Sequence, residues 1–140
     1  MPAITLTTDW GTSDHYVAAF KGGLLSLHPA INLIDVSHTV PSYDSMRAAF
    51  IFKNCYNYFP AGTIHLISVG SLSSQSTGWL AIEDNSSFII CRNDGFFALV
   101  AERQPQKVVM ISESDKISVA DERSFLINAI NSIIEKKQTN

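Results

Sequence analysis

Asp9 stands at the end of a β-rich run, Ala3 to Asp9, and a Gly11-Thr12 turn follows it. A carboxylate in that place can accept two hydrogen bonds from a ribose diol. The same carboxylate can instead tie down the turn through its own backbone, and spacing alone leaves both readings open. Tyr43 lies in a Pro-Ser-Tyr-Asp turn, where its ring can stack on a flat ligand or shield the turn. Asp14, just ahead of an apolar periodic segment, reads as a helix cap. The loop from Ser71 to Ser76 offers neutral hydroxyls and one amide, with Ser73, Ser74 and Gln75 among its polar groups.

The four histidines, His15, His28, His38 and His65, are scattered. Only His38, which follows a strand, stands where a strand-end site would form, and a histidine hydrogen-bonded to backbone is the plainer reading for it. His65 lies inside a strand and reads as packed or edge-exposed. No Ser/His/Asp set emerges from spacing. Cys55 and Cys91 show no metal-ligand spacing, so the sequence points to no metal. They read as two buried thiols of a reducing cytoplasm. Neither a GxGxxG fingerprint nor a phosphate-binding P-loop occurs.

These residues need a scaffold, and the chain supplies one. Val17, Phe20, Leu24 and Leu27 recur at helical spacing between Asp14 and His28, and Pro29 ends the element. Asn32 to Val36 reads as a buried strand and Thr63 to Val69 as a third strand. Between them Pro41 to Asp44 opens a helix with Ala48, Ala49, Phe52, Cys55 and Tyr56 on one face. Gly70 to Gly78 reads as a surface loop. Trp79 to Glu83 and Ser87 to Cys91 form a hairpin turning at Asp84 to Ser86. A short helix, Phe96 to Arg103, and a strand, Lys107 to Ile111, follow. Leu126, Ala129, Ile130, Ile133 and Ile134 then make an apolar stripe on a last helix, with Asp121 at its start and Lys136 and Lys137 at its end.

Alternating strands and helices predict a single three-layer α/β domain over residues 1–140, its sheet largely parallel and its helices on both faces. Ligands of such sheets bind beyond the carboxyl ends of the strands, which are Asp9, Ser37-His38 and Gly70. A net charge of -3 gives no basic footprint for nucleic acid. No apolar run reaches the length of a membrane span, and no signal peptide is visible. The expectation is a cytoplasmic protein.

The segment Ile4 to Thr12 (ITLTTDWGT), with Asp14, Tyr16, Val17, Lys21 and Gly22, resembles the opening of the S-adenosylmethionine hydroxide adenosyltransferases, relatives of the fluorinases and chlorinases. The pattern continues through Ile34 to His38 (IDVSH), Pro41 to Asp44 (PSYD), Ala48 to Phe50 and Tyr58 to Thr63 (YFPAGT). It resumes at Ala81-Ile82 and at Asn93 to Phe96. The resemblance covers the family's N-terminal domain, with the C-terminal β-domain expected to be absent.

The resemblance implies S-adenosylmethionine as ligand or substrate, with no cofactor and no metal. Asp9 falls on the ribose-holding position and Tyr43 on the aromatic that lines the pocket. Ser73, Asn93 and Asp94 complete the ligand-side candidates. In the family, water or halide displaces methionine from the ribose C5′, and the site lies between subunits of a trimer, so a homo-oligomer is implied. The chain departs from the hydroxide-using members at three positions. Where they carry an Asp, an Arg and a His, it has Gly70, Thr77 and a residue near Ala120. The Asn93-Asp94 order is also reversed. The resulting expectation is a domain that binds S-adenosylmethionine or adenosine with weak or no hydrolysis. The alternative is a non-catalytic assembly module that kept the scaffold.

Overall fold

The computed structural model describes residues 2–70, 78–101, 104–112 and 119–139. Strand β1 (Ala3–Thr8) leads to helix α1 (Tyr16–Leu27), β2 (Asn32–Ser37) and α2 (Ser45–Cys55), which ends in a 3₁₀ turn at Tyr56–Tyr58. Then come β3 (Ile64–Ser68), β4 (Trp79–Asp84), β5 (Ser87–Arg92), α3 (Phe96–Val100), β6 (Lys107–Ser112) and α4 (Val119–Thr139). Local signals account for several boundaries. Asp44 caps α2 by accepting the Arg47 N–H at 2.9 Å. Asp14 accepts the Tyr16 N–H at 3.0 Å, but His15 holds the N-cap position of α1 without a side-chain hydrogen bond, so Asp14 braces the turn ahead of the helix and is not its cap.

The six strands form one sheet in the order β2-β1-β3-β5-β4-β6. Strands β2, β1, β3 and β5 pair in parallel, whereas β4 is antiparallel to both β5 and β6. The sheet is therefore mixed, not largely parallel as the alternation of elements suggests. The cause is the β4–β5 hairpin. Asp84 pairs with Ser87, and the two residues between them, Asn85 and Ser86, have φ of 51° and 68°. Two successive positive φ values make a tight hairpin turn that reverses the chain at once. A parallel neighbour would need a crossover of a dozen or more residues. The hairpin is legible in the sequence; that β4 slots between β5 and β6 is not.

Helices do cover both faces. On one, Ile4 and Leu6 of β1, Leu66 of β3 and Ile90 of β5 pack with Phe20 and Leu24 of α1 and with Leu126, Ile130 and Ile134 of α4. On the other, Ile67, Ile82, Ile89 and Cys91 meet Ala48, Ala49 and Phe52 of α2 and Phe96 of α3. Burying each large apolar side chain contributes about 1.5–3 kcal/mol. These two layers hold the strand ends in place. Helix α3 stops at Val100, short of the predicted Arg103, which lies outside the described residues.

Candidate functional site

Two polar assemblies occupy the carboxyl ends of the parallel strands. The first is built on Asp9, one residue past β1. Its N–H donates to Ser68 O at 3.2 Å, and its Oδ2 accepts the Gly70 N–H at 2.9 Å. Tyr43 closes the other side. A Cβ placed on Gly70 would lie 3.3 Å from Tyr43 Cε1 and 3.4 Å from Asp9 Oδ2. The carboxylate, the phenol ring and a side-chain-free stretch of backbone thus converge. Tyr43 is 56% exposed and has a φ of 68°, a left-handed conformation unusual for a bulky residue. Such strain costs about 1–3 kcal/mol and clusters at ligand sites.

A hydrogen-bonded relay fixes the strand ends beside Asp9. Asp35, as a carboxylate, only accepts, so His38 Nε2 donates to its Oδ1 at 2.7 Å. His38 Nδ1 then accepts from Thr8 Oγ1 at 2.6 Å, and Thr8 Oγ1 accepts the Trp10 N–H at 3.2 Å. Lys21 Nζ donates to Asp35 Oδ2 at 2.7 Å. Burial works to raise the Asp35 carboxyl, but the hydrogen bonds from Lys21 and His38 outweigh it and hold the group below its ordinary range. His38 is held by side chains, where the sequence suggested backbone. The trio has the outline of a nucleophilic triad, yet Thr8 is fully buried and cannot meet a substrate. Its role is to set the end of β1, and Gly11 N–H to His38 O at 2.7 Å ties the following turn to it.

The second assembly has no counterpart in the sequence reading. Ser68 Oγ donates to Glu122 Oε1 at 2.9 Å, and Arg92 Nη2 reaches the same carboxylate at 3.3 and 3.4 Å. The Arg92 guanidinium lies 4.5 Å from the Trp79 ring centroid. Tyr16 sits between the two assemblies, its ring 4.7 Å from that of Trp10. Burial pushes the Tyr16 phenol up to about 12, with the charges of Glu122 and Asp9 adding to the rise. The only advance signal for this group was charge at a strand end and in the first turn of a helix.

Of the other sequence candidates, Asn93 and Asp94 follow β5 at the same end of the sheet. Asn93 N–H donates to Gly78 O at 2.8 Å, and Asp94 Oδ1 accepts the Phe96 N–H at 3.0 Å in the turn ahead of α3. Ser73 and Thr77 lie outside the described residues. Ala120 falls within the first turn of α4, not before it. Among the described residues no cluster of three metal-ligating side chains occurs, and no helix is long and apolar enough to cross a membrane. A groove of about 690 Å³ lies elsewhere, between α4 and the β4–β6 region, lined by Ala81 and Val109 from the strands and Phe125 from the helix. It runs along the strands and touches neither polar assembly.

A sequence family described as the SAM hydroxide adenosyltransferase N-terminal domain matches residues 4–133. The chain is 30% identical over 116 residues to the (R)-S-adenosyl-L-methionine hydrolase of Methanocaldococcus jannaschii, covering 79% of this chain and 44% of that protein. It is 43% identical over 68 residues to the protein of the same name from Salinispora tropica, covering 49% of this chain and 26% of that one. With a fluorinase of Actinoplanes sp. it shares 30% over 81 residues, 58% of this chain and 27% of the relative. The chain therefore spans less than half the length of these relatives. Among solved structures, a conserved hypothetical protein from Thermus thermophilus superposes with a TM-score of 0.76 at 22% identity, over 95% of this chain and 53% of that one. That likeness concerns the fold.

Proposed function

Because the chain belongs to the SAM hydroxide adenosyltransferase family, whose N-terminal domain it matches over residues 4–133, we propose that it binds S-adenosylmethionine or adenosine at the β1–β3 strand ends, with at most weak hydrolysis to adenosine and methionine. The observation that carries this reading is the convergence of Asp9, Tyr43 and Gly70. Asp9 Oδ2 is anchored by a backbone N–H, and among the described residues Oδ1 takes no hydrogen bond. That oxygen is placed to accept a ribose hydroxyl, while the exposed Tyr43 ring supplies an edge or face to the base.

The chemistry needs little from the protein beyond placement. The sulfonium is a cationic leaving group and departs as a neutral thioether, so orienting the nucleophile and excluding bulk water supply the rate. Hydrolysis is held to be weak because Gly70 presents no side chain where the hydroxide-using relatives resembled above carry a carboxylate. Loss of a general base typically costs 10²–10⁴-fold. The alternative of a non-catalytic assembly module draws no support from the relatives, which are named as enzymes.

Isothermal titration with adenosine and with S-adenosylmethionine tests the reading. Binding is expected, and Asp9→Ala should weaken it about ten- to a hundredfold, the worth of one or two charge-assisted hydrogen bonds. No heat at millimolar nucleoside contradicts it. The resemblance extends the reading to a cytoplasmic homotrimer. Sedimentation velocity of the chain checks the assembly, with a monomer at all concentrations counting against it.

A further inference from the structure

The Ser68–Glu122–Arg92 assembly supplies, from other elements, a carboxylate and a cation in a chain that has Gly70 and Thr77 at the positions where the resemblance expects them. Glu122 and Arg92 are nearly enclosed, with side-chain exposures of 13% and 14%. Enclosing an ion pair carries a desolvation cost that apolar packing avoids, so its position is informative. Ser68 pairs in register with Thr8, and its carbonyl accepts the Asp9 N–H. One side of Ser68 thus supports the carboxylate read as ribose-holding, and its hydroxyl holds Glu122. The phenol of Tyr16 feels the charges of both Glu122 and Asp9. Trp79 stacks under the Arg92 guanidinium and fixes its plane.

Within the carboxylate the two oxygens differ. Oε1 accepts from both Ser68 and Arg92, whereas Oε2, among the described residues, is met by the 3.4 Å contact from Arg92 alone. A carboxylate oxygen has two lone-pair directions, so Oε2 retains acceptor capacity for a water.

We propose that Glu122 orients and deprotonates the attacking water in this chain, with Arg92 and Ser68 as its positioning residues. The inference rests on the nucleoside-binding reading. As the water oxygen attacks the ribose C5′, one of its protons passes to Glu122. The C5′–S bond breaks and its electron pair stays on sulfur, discharging the sulfonium. Adenosine and neutral methionine leave, and the proton on Glu122 returns to solvent. The overall change is S-adenosylmethionine plus water to adenosine, methionine and one proton.

The test is turnover of S-adenosylmethionine by the full chain, followed by chromatography, alongside calorimetric binding. Glu122→Gln keeps the size and an acceptor for Ser68 and Arg92. It should lower kcat about 10²-fold or more while leaving the adenosine Kd within about twofold. The acid limb of the pH–kcat profile should disappear with it, a change that a purely structural ion pair would not produce. Ser68→Ala, a milder change, should lower kcat about five- to tenfold with little effect on KM. Adenosine formation unaltered in folded Glu122→Gln overturns the inference. So does wild-type chain that binds S-adenosylmethionine yet yields no adenosine above an enzyme-free control, and that result leaves the binding reading standing. Absence of any nucleoside binding overturns both.

Discussion

Strand β1 carries two threonine–histidine pairs of almost the same length, on opposite faces of the sheet. Thr8 meets His38 at 2.6 Å at the strand's end, and Thr5 meets His65 at 2.7 Å in its middle. What separates them is the second ring nitrogen. His38 Nε2 bonds Asp35, itself bonded to Lys21, so the ring is oriented by a chain of charged partners. His65 Nε2 is buried without a hydrogen-bond partner among the described residues, and the rings of Phe52, Tyr56 and Phe59 surround it at 5.1 to 5.6 Å. The first pair is part of a frame that aims Asp9. The second is a core packing element whose cost shows only when a proton is offered. The same two side chains thus serve position in one place and packing in the other.

The largest expected effect that probes this contrast is on stability against pH. Burial pulls His65 down to about 4 from its ordinary value of 6.5. Between those values the unfolded chain takes up a proton that the folded chain refuses, so stability falls as pH drops through that window. Above pH 6.5 and below about 4 this contribution is flat. The loss across the window is about 3 kcal/mol, read from urea unfolding at pH 7 and pH 4. His65→Phe, which suits the aromatic surroundings, should remove most of that difference. An equal drop in the variant would break the contrast between the two pairs.

A smaller effect sharpens the view of the strand end as a place that trades stability for binding. Tyr43→Gly relieves the left-handed φ and should raise stability by about 1 kcal/mol while weakening adenosine binding. Denaturation midpoints and calorimetry on the same preparation read both. A variant that loses stability and keeps affinity would place Tyr43 in the packing class with His65.

How much of this could be seen beforehand follows from how local each feature is. Asp9 was legible because a β-rich run, a carboxylate and a Gly-Thr turn lie within ten residues. The turn that carries Tyr43, the start of α2 behind Pro41 to Asp44 and the β4–β5 hairpin are legible from residues adjacent in the chain. The mixed sheet was not, since the place of β4 between β5 and β6 depends on which edges remain open once the sheet has formed. The Glu122 assembly was harder still. Its members come from β3, β5 and α4, and Ser68 and Glu122 are 54 positions apart. No short pattern joins them; only the order of strands and the docking of α4 on that face of the sheet do. The histidines fall between these cases: the place of His38 at a strand end is legible, but its side-chain partners at positions 8 and 35 are not.

Asp9 is the residue proposed to receive a nucleoside, and a crystal soaked with adenosine tests that most directly. The prediction is ribose density with a hydroxyl within hydrogen-bonding distance, about 2.6–3.2 Å, of Asp9 Oδ1 and the base against Tyr43. Adenosine found instead in the 690 Å³ groove between α4 and β4–β6, with the strand ends vacant, would contradict it.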